Sequence, residues 1–551
     1  MKNNKFLIFL LILGLSGSCS KELDIKNPNQ PTLNGLDTEN GLLAYTLGGI
    51  YTNGFKYTKY ADGVPGYFWA GAMGFHGTMG DEVGAEAANW YMNQVGSPDL
   101  ATLDNGTKVP NPQSPATQYA LLRAVNQASQ QGSNPIFHEW VNMYDLNNAC
   151  NSILSKVDKV AFTGSSTTKV ATIKAWCYWW KGFAYAHLGS IYYAGLINND
   201  PNAASNVFVT KEALIAESNA NLDKAAGILG GLSSGGDYDV VLKAITPDFV
   251  VKGKGGLIPP AQFIRNINTL KARNILVNTS VASMTTGQWG SIATLTAAGI
   301  TATDLVFTGR TNANGDIWDQ TIGTYLLKSI GAKPGDGTYK VSERLIQDYK
   351  SGDLRLANNF IKGATWVGAI DRGNIFNTRW VTKDNGSGLK DSVTGISTIV
   401  YGSKLIAGAV EFYLVGTYDE NTLMQAEAKI YTGDIEGGLK LIDAVRIYQG
   451  AGLKAVAGTN LTLAQAKEEL RLERRSGLAF RQLAFYDARR WGITDKTGPG
   501  RTGAVVVDNK GNVNTNATIN YNYLDYWDVP DNELHFNPAG AGSAPTSNPK
   551  Q

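Results

Sequence analysis

Cysteine is nearly absent from this chain: there are three among 551 residues. Cys19 stands in the N-terminal segment, which leaves Cys150 and Cys177 for the body. Two are too few for a disulfide framework, and no CxxC pair or Cys/His cluster suggests a metal site. Both lie in helical patterns (NNACNSIL and AWCYWW) and read most simply as small buried hydrophobes, with one bridge between neighbouring helices left open. Charge is scarce too. Asp, Glu, Lys and Arg make up 17% of the residues, against roughly 25% in an average soluble domain. The formal net charge is +2 and the body has no long run of Lys or Arg, so nucleic-acid binding, which draws on clustered phosphate neutralisation, is disfavoured. The four histidines, His76, His138, His187 and His535, are scattered. Neither HExxH nor a Walker loop occurs, and the chain reads as a non-enzyme without a cofactor.

Gly (62 residues), Asn, Thr and Ser take the place of the missing charge, giving a surface that makes hydrogen bonds but carries little field. The N-terminus is the most readable segment. Lys2 and Lys5 precede an apolar run of ten, Phe6 to Leu15, too short to span a bilayer and expected as a signal-peptide core. Ser16-Gly17-Ser18 and then Cys19 give the lipobox arrangement, with Cys19 the lipidated residue; Ser16 stands where Leu is usual. Residues 1–18 are therefore expected as a lipoprotein signal peptide, 19–32 as the lipidated Cys and a polar, proline-punctuated tether, and 33–551 as one domain.

Helical periodicity is strong and comes in pairs. Residues 169–193 carry Ile173, Cys177, Trp180, Ala184, Leu188 and Ile191 at steps of three and four; 137–157, 212–229 and 262–277 read likewise. Residues 419–431 should stop at Gly433 in the left-handed conformation, with Asp434 capping the next helix. Residues 463–491 read as one long helix or two broken near Gly477. Helix pairs with small residues at their contacts are the grammar of tetratricopeptide-like repeats, here degenerate. Residues 101–117, 230–260, 301–340 and 363–403 read as long loops, and loops of that length are usually functional. The expected architecture is all-α: a helix-pair scaffold with irregular loops forming a ligand face.

In this order, behind a lipobox, several phrases carry a resemblance. They are Glu139-Trp140-Val141-Asn142-Met143-Tyr144, His187-Leu188-Gly189-Ser190, Gln425-Ala426-Glu427-Ala428 leading to Tyr431-Thr432-Gly433-Asp434, and Arg471-Leu472-Glu473-Arg474-Arg475 through Asp487-Ala488-Arg489-Arg490-Trp491. Pro530-Asp531-Asn532-Glu533 with Asn537-Pro538 follows near the end. The chain resembles the SusD/RagB family of Bacteroidetes outer-membrane lipoproteins. The resemblance implies about eight helices in four tetratricopeptide-like pairs, in an N-terminal helical part of about 33–260 and a C-terminal part of about 261–551. It implies a surface-exposed position at the cell outer membrane through the lipid anchor, capture of a nutrient glycan, and delivery to a SusC-like TonB-dependent transporter. A peptide cargo, as RagB-like members suggest, and a surface glycoside hydrolase are the alternatives; the middle of the chain, 299–403, carries no recognised phrase and leaves the ligand unnamed.

For a sugar, the best candidates are aromatics in Gly-rich, non-helical sequence, since a ring's CH face stacks on an aromatic plane and its hydroxyls need polar partners. They are Trp69, Trp90, Tyr91, Trp318, Trp366 and Trp380, with Asp81, Arg310, Asn314 and Asp316 as hydroxyl partners. The Trp176/Trp179/Trp180 cluster and Trp289 are expected to pack, and the Glu468–Arg475 phrase to lace a helix rather than touch ligand.

Overall fold

The computed structural model describes residues 33–52, 73–85, 95–246, 256–305, 307–308, 339–368, 377–382, 413–495, 498 and 500–550. Among the described residues, eight helices of twelve residues or more form the scaffold: α1 (Pro135–Lys156), α2 (Ser166–Ile191), α3 (Lys211–Leu229), α4 (Pro260–Val277), α5 (Thr286–Ala297), α6 (Tyr418–Tyr431), α7 (Ile435–Tyr448) and α8 (Leu463–Gly477). Each packs on its neighbour in sequence from α1 to α8, and α8 also touches α6. A ninth, short helix, α9 (Ala484–Arg490), follows α8. The break between α8 and α9 falls where Phe480 and Gln482 take positive φ values of 60° and 63°.

The local rules hold at the helix ends. Thr285 and Thr462 form capping boxes with Gln288 and Gln465, satisfying donors that the first turns of α5 and α8 leave open. Between α6 and α7, Gly433 sits at φ +98° and Asp434 accepts from the Gly437 amide, as the Gly-Asp turn requires. The tryptophans of α2 are core. Trp176, Trp179 and Trp180 are at most 2% exposed. Trp179 stacks on Phe307 at 4.0 Å and donates its indole N–H to Asn266. Trp289 is likewise buried and stacks on Tyr431.

Strand structure goes beyond the expectation. Ahead of the scaffold lie β1 (Val83–Ala85), β2 (Leu100–Thr102) and β3 (Lys108–Pro110). Between α5 and α6 come β4 (Phe307–Thr308), β5 (Tyr339–Val341), β6 (Phe360–Trp366), β7 (Thr378–Thr382) and β8 (Tyr413–Val415). After α9 come β9 (Arg501–Val507) and β10 (Val513–Asn520). One four-stranded antiparallel sheet runs β9-β10-β2-β3, so strands some 400 positions apart in sequence are neighbours, Thr518 opposite Thr102. The supposed loop at 101–117 thus begins as a hairpin turning at Asn105-Gly106, with Gly106 at φ +81°. The supposed loop at 230–260 contains a helix, Gly236–Ile245, that buries Tyr238, Val241, Leu242 and Ile245.

The C-terminal stretch returns to the start of the scaffold. Trp527 bonds through its backbone to both Ile191 and Tyr193 at the end of α2. Glu533 accepts from the Trp140 indole of α1, Asn532 bonds Asn134 at its cap, and Arg123 holds Asp528 and the carbonyls of Asn548 and Lys550. No described helix is long and apolar enough to cross a membrane.

Candidate functional site

Three short ladders hold the stems of the candidate-bearing segments. In the first, β1 pairs antiparallel with β5, Ala85 opposite Tyr339. β4 pairs with β8, and Phe307 of β4 is plugged into the tryptophan cluster of α2. β6 pairs with β7, setting Trp366 opposite Thr378 and Lys362 opposite Trp380. Trp90 and Tyr91 follow β1 in sequence, and Arg310, Asn314, Asp316 and Trp318 lie between β4 and β5. Those six residues, together with Cys19 and Trp69, lie outside the described residues. The fold therefore brings together the attachment points of the two segments, at the Ala85–Tyr339 end of one ladder.

Of the ten ligand candidates, Asp81, Trp366 and Trp380 can be placed. Asp81 was expected to meet ligand hydroxyls; instead its two oxygens are consumed inside the protein. They accept from Ser342 Oγ (2.7 Å), Arg344 Nε (2.9 Å), Arg344 Nη2 (2.7 Å) and Tyr521 OH (2.7 Å). Burial would raise the carboxyl's pKa, but the Arg344 charge overrides this and holds it well below the usual range. Arg344 is fully buried and gives its remaining nitrogen to the Val505 carbonyl of β9. This pair clamps β1, β5, β9 and the end of β10 into one unit. Trp366, expected as a stacking face, is 4% exposed, with the Lys340 ammonium 5.4 Å from its ring centre. Its large ring is spent on packing beside Gly368. Trp380 differs: it stays half-buried on β7, next to Arg379, which is locked to Glu343 at 2.7 Å. Among the placed candidates it alone keeps substantial aromatic surface near the stems.

Behind the Asp81 clamp lies a cleft of about 500 Å³ bounded by residues 79–81, α8, α9 and the start of β9. Its walls are an ionic lattice. Arg474 meets Asp487 at 2.9 and 3.0 Å, Arg490 joins the same Asp487 at 2.8 Å and takes Glu427 at 2.5 and 2.7 Å, and Arg471 meets Glu468 at 2.8 Å. Arg475 donates to the carbonyls of Gly80 and Asp81. The Arg/Glu phrase is a scaffold lock, as the helix-lacing reading held, and its reach extends beyond one helix to α6, α9 and the stem of β1. Among the described residues, Arg474 Nη1 and Thr494 Oγ1 are buried donors of the cleft without hydrogen-bond partners, while Arg475 Nε pairs with Asp348 at 3.3 Å. Two groups of this kind can orient water or a polar solute; they do not make a nucleophile and base. No group of three His, Cys, Asp or Glu among the described residues could hold a metal ion.

Sequence reasoning missed two buried acids. Glu139 of α1 accepts from His187 Nδ1 at 2.6 Å and contacts His76 Nε2 at 3.0 Å, joining histidines that looked scattered; both ion-pairing distances span more than forty residues of sequence, beyond any local pattern. Glu82 accepts the Phe480 amide at 2.7 Å through one oxygen, and its other oxygen has no hydrogen-bond partner among the described residues. Burial raises its pKa to about 7, against the opposing charge of Arg475. The folded protein therefore holds a proton here that the unfolded chain releases near 4.5. This contribution to stability is fully present below pH 4.5 and is lost as pH climbs from there to about 7. Glu82→Gln is expected to flatten that part of the stability profile, read as urea midpoints from pH 4.5 to 8; an unchanged slope would assign it to other groups.

Residues 337–539 match the SusD family. No curated protein sequence matches the chain. Solved structures share its fold over most of its length. A SusD-like protein from Bacteroides fragilis is 14% identical, with a TM-score of 0.55, covering 91% of this chain and 96% of that one. A SusD superfamily protein from Parabacteroides distasonis is 12% identical, with a TM-score of 0.56, covering 91% and 98%. Surface glycan-binding protein A from Bacteroides fluxus is 13% identical, with a TM-score of 0.56, covering 92% and 98%.

Proposed function

We propose that this chain, a SusD/RagB-family protein by its match over 337–539 and its fold, captures an oligosaccharide at the cell surface. The captured glycan passes to a SusC-like TonB-dependent transporter in the outer membrane, to which a lipid on Cys19 tethers the protein. The observation that carries the reading is that match, together with a fold shared with a surface glycan-binding protein. The ladder geometry supports it: a clamped sheet presents the stems of two aromatic-bearing segments side by side, with Trp380 half-buried nearby. A preorganised aromatic face lowers the ordering cost of binding a flexible sugar chain. Within this reading Trp69, Trp90, Tyr91, Trp318 and Trp380 supply stacking faces, and Arg310, Asn314 and Asp316 the hydroxyl partners.

The test is affinity electrophoresis of the soluble form beginning at Ser20, through gels that each contain one neutral polysaccharide. Retardation in one gel, with the polymer's chain length unchanged, is the expected result. Retardation with shortening of the polymer would mean a hydrolase. Competition by peptides and not by glycans would move the cargo to the peptide class. Trp318→Ala is expected to lower affinity roughly tenfold or more, the ~1–3 kcal/mol scale of a lost aromatic stack, while the melting temperature stays put. Equal binding by parent and variant would place the ring outside the site.

A further inference from the structure

The antiparallel register of α1 and α2 is fixed by contacts along the length of both helices. The Tyr192 hydroxyl donates to the Ile136 carbonyl at 2.6 Å, His187 meets Glu139 at 2.6 Å, and the Lys181 ammonium donates to Asn147 at 3.1 Å and also to Asn151. From Ile136 to Asn147 one helix advances as many positions as the other retreats from Tyr192 to Lys181. One further helical turn in the same register sets Cys150 of α1 against Cys177 of α2, since Cys150 lies three residues past Asn147 and Cys177 four before Lys181. The side chains bear this out. Both cysteines are free thiols at 0% exposure, and each bears on the electrostatics of the other. Nothing in the fold or the proposed binding function uses them: the glycan stems and the cleft lie elsewhere, and their neighbour Lys181 is satisfied by the oxygens of Asn147, Asn151 and Asn199.

We propose that Cys150 and Cys177 are a disulfide-forming pair, cross-linking α1 to α2 in the exported protein. The inference rests on the export half of the proposed function, because a structural disulfide persists in an oxidising compartment. The chemistry is thiol–disulfide exchange with a protein or small-molecule disulfide as oxidant. One cysteine, as its thiolate, attacks the oxidant's disulfide and expels one sulfur as a thiolate. The second chain thiolate then attacks the chain sulfur of the mixed disulfide and expels the other. The chain loses two protons and two electrons, and the oxidant leaves as a dithiol. Burial raises the Cys177 pKa well above the ordinary value, and the neighbouring Cys150 raises it further, so the packed Cys177 thiol is a poor nucleophile. Exchange therefore belongs to the stage before α1 and α2 close on each other.

The test uses the full chain isolated from outer-membrane fractions, denatured in guanidinium with iodoacetamide and no reductant, then digested with trypsin. The expected product is the peptide 124–156 joined to 175–181, released as two singly alkylated peptides only when a reductant precedes the alkylation. Recovery of both peptides separately and already alkylated, on a chain whose N-terminus is a processed, lipidated Cys19, would overturn the cross-link and leave export standing. Free thiols on a chain that still carries residues 1–18 would overturn both.

Discussion

Glu427→Gln is expected to cost about 3–5 kcal/mol of stability, the scale for breaking a buried ion pair by removing one partner. Glu427 is 0% exposed on α6, and both its oxygens are held by Arg490, with Arg474 Nε 3.8 Å away. Those two guanidiniums share one further carboxylate, Asp487. Removing the Glu427 charge leaves two buried cations facing a single anion, each of the groups held on a helix. Against a total stability of about 5–15 kcal/mol the loss is large. It should appear as a sharply lower urea midpoint or as insoluble expression. The double variant Glu427→Gln with Arg490→Met is the informative control. It removes the uncompensated cation along with the anion and should recover part of the loss. If the single variant unfolds at the parental urea concentration, the lattice is not what joins α6 to α9.

Arg344→Met is expected to abolish glycan retention as well as to destabilise, again by roughly 3–5 kcal/mol. Here the residue left behind is Asp81, a 5% exposed carboxylate that keeps only the Ser342 and Tyr521 hydroxyls. Asp81 must then gain a proton or pull water inward, and either outcome loosens the junction of β1 with β5. That junction carries the stems of the segments that bear Trp90, Tyr91 and Trp318. Binding should fail at temperatures where the helices remain folded by circular dichroism. Trp318→Ala removes a proposed binding face and leaves the platform, whereas Arg344→Met leaves the face and removes the platform. Retained binding by Arg344→Met below its melting temperature would show that the stems do not set the site.

The helices were legible because each buries a stripe that recurs with the helical period, and their ends because Gly433, Asp434 and Thr462 obey local capping rules. The helix at Gly236–Ile245 is hidden in the sequence because it opens on two glycines, Gly235 and Gly236, both with positive φ, which read as a loop. The β2–β3 hairpin carries an Asn-Gly turn signal, but the polar, Gly-rich residues around it read as loop. The sheet it joins was not readable at all, since its other strands come from the end of the chain. The same reason hides the roles of individual acids. Asp81 beside Glu82, a few residues ahead of Trp90, looks like a sugar contact. What decides its role is Arg344, 263 positions away, and no local pattern reports that. Trp366 shows the converse: Gly-rich sequence suggested an exposed ring, but the strand it ends turns it inward.

The return of the last thirty residues to α1 and α2 has a bearing on how the protein is made. Trp140, Asn134 and the end of α2 wait for partners at Asn532, Glu533 and Trp527, and β2 waits for β10. While ribosomes are still adding residues to the chain, its N-terminal helices have buried surface to offer and nothing to cover it. Native closure then has to follow complete synthesis, and long-range pairings of this kind slow the search for it. Under the proposed export, a polypeptide that cannot finish folding from its front end stays threadable, as passage through a narrow pore demands.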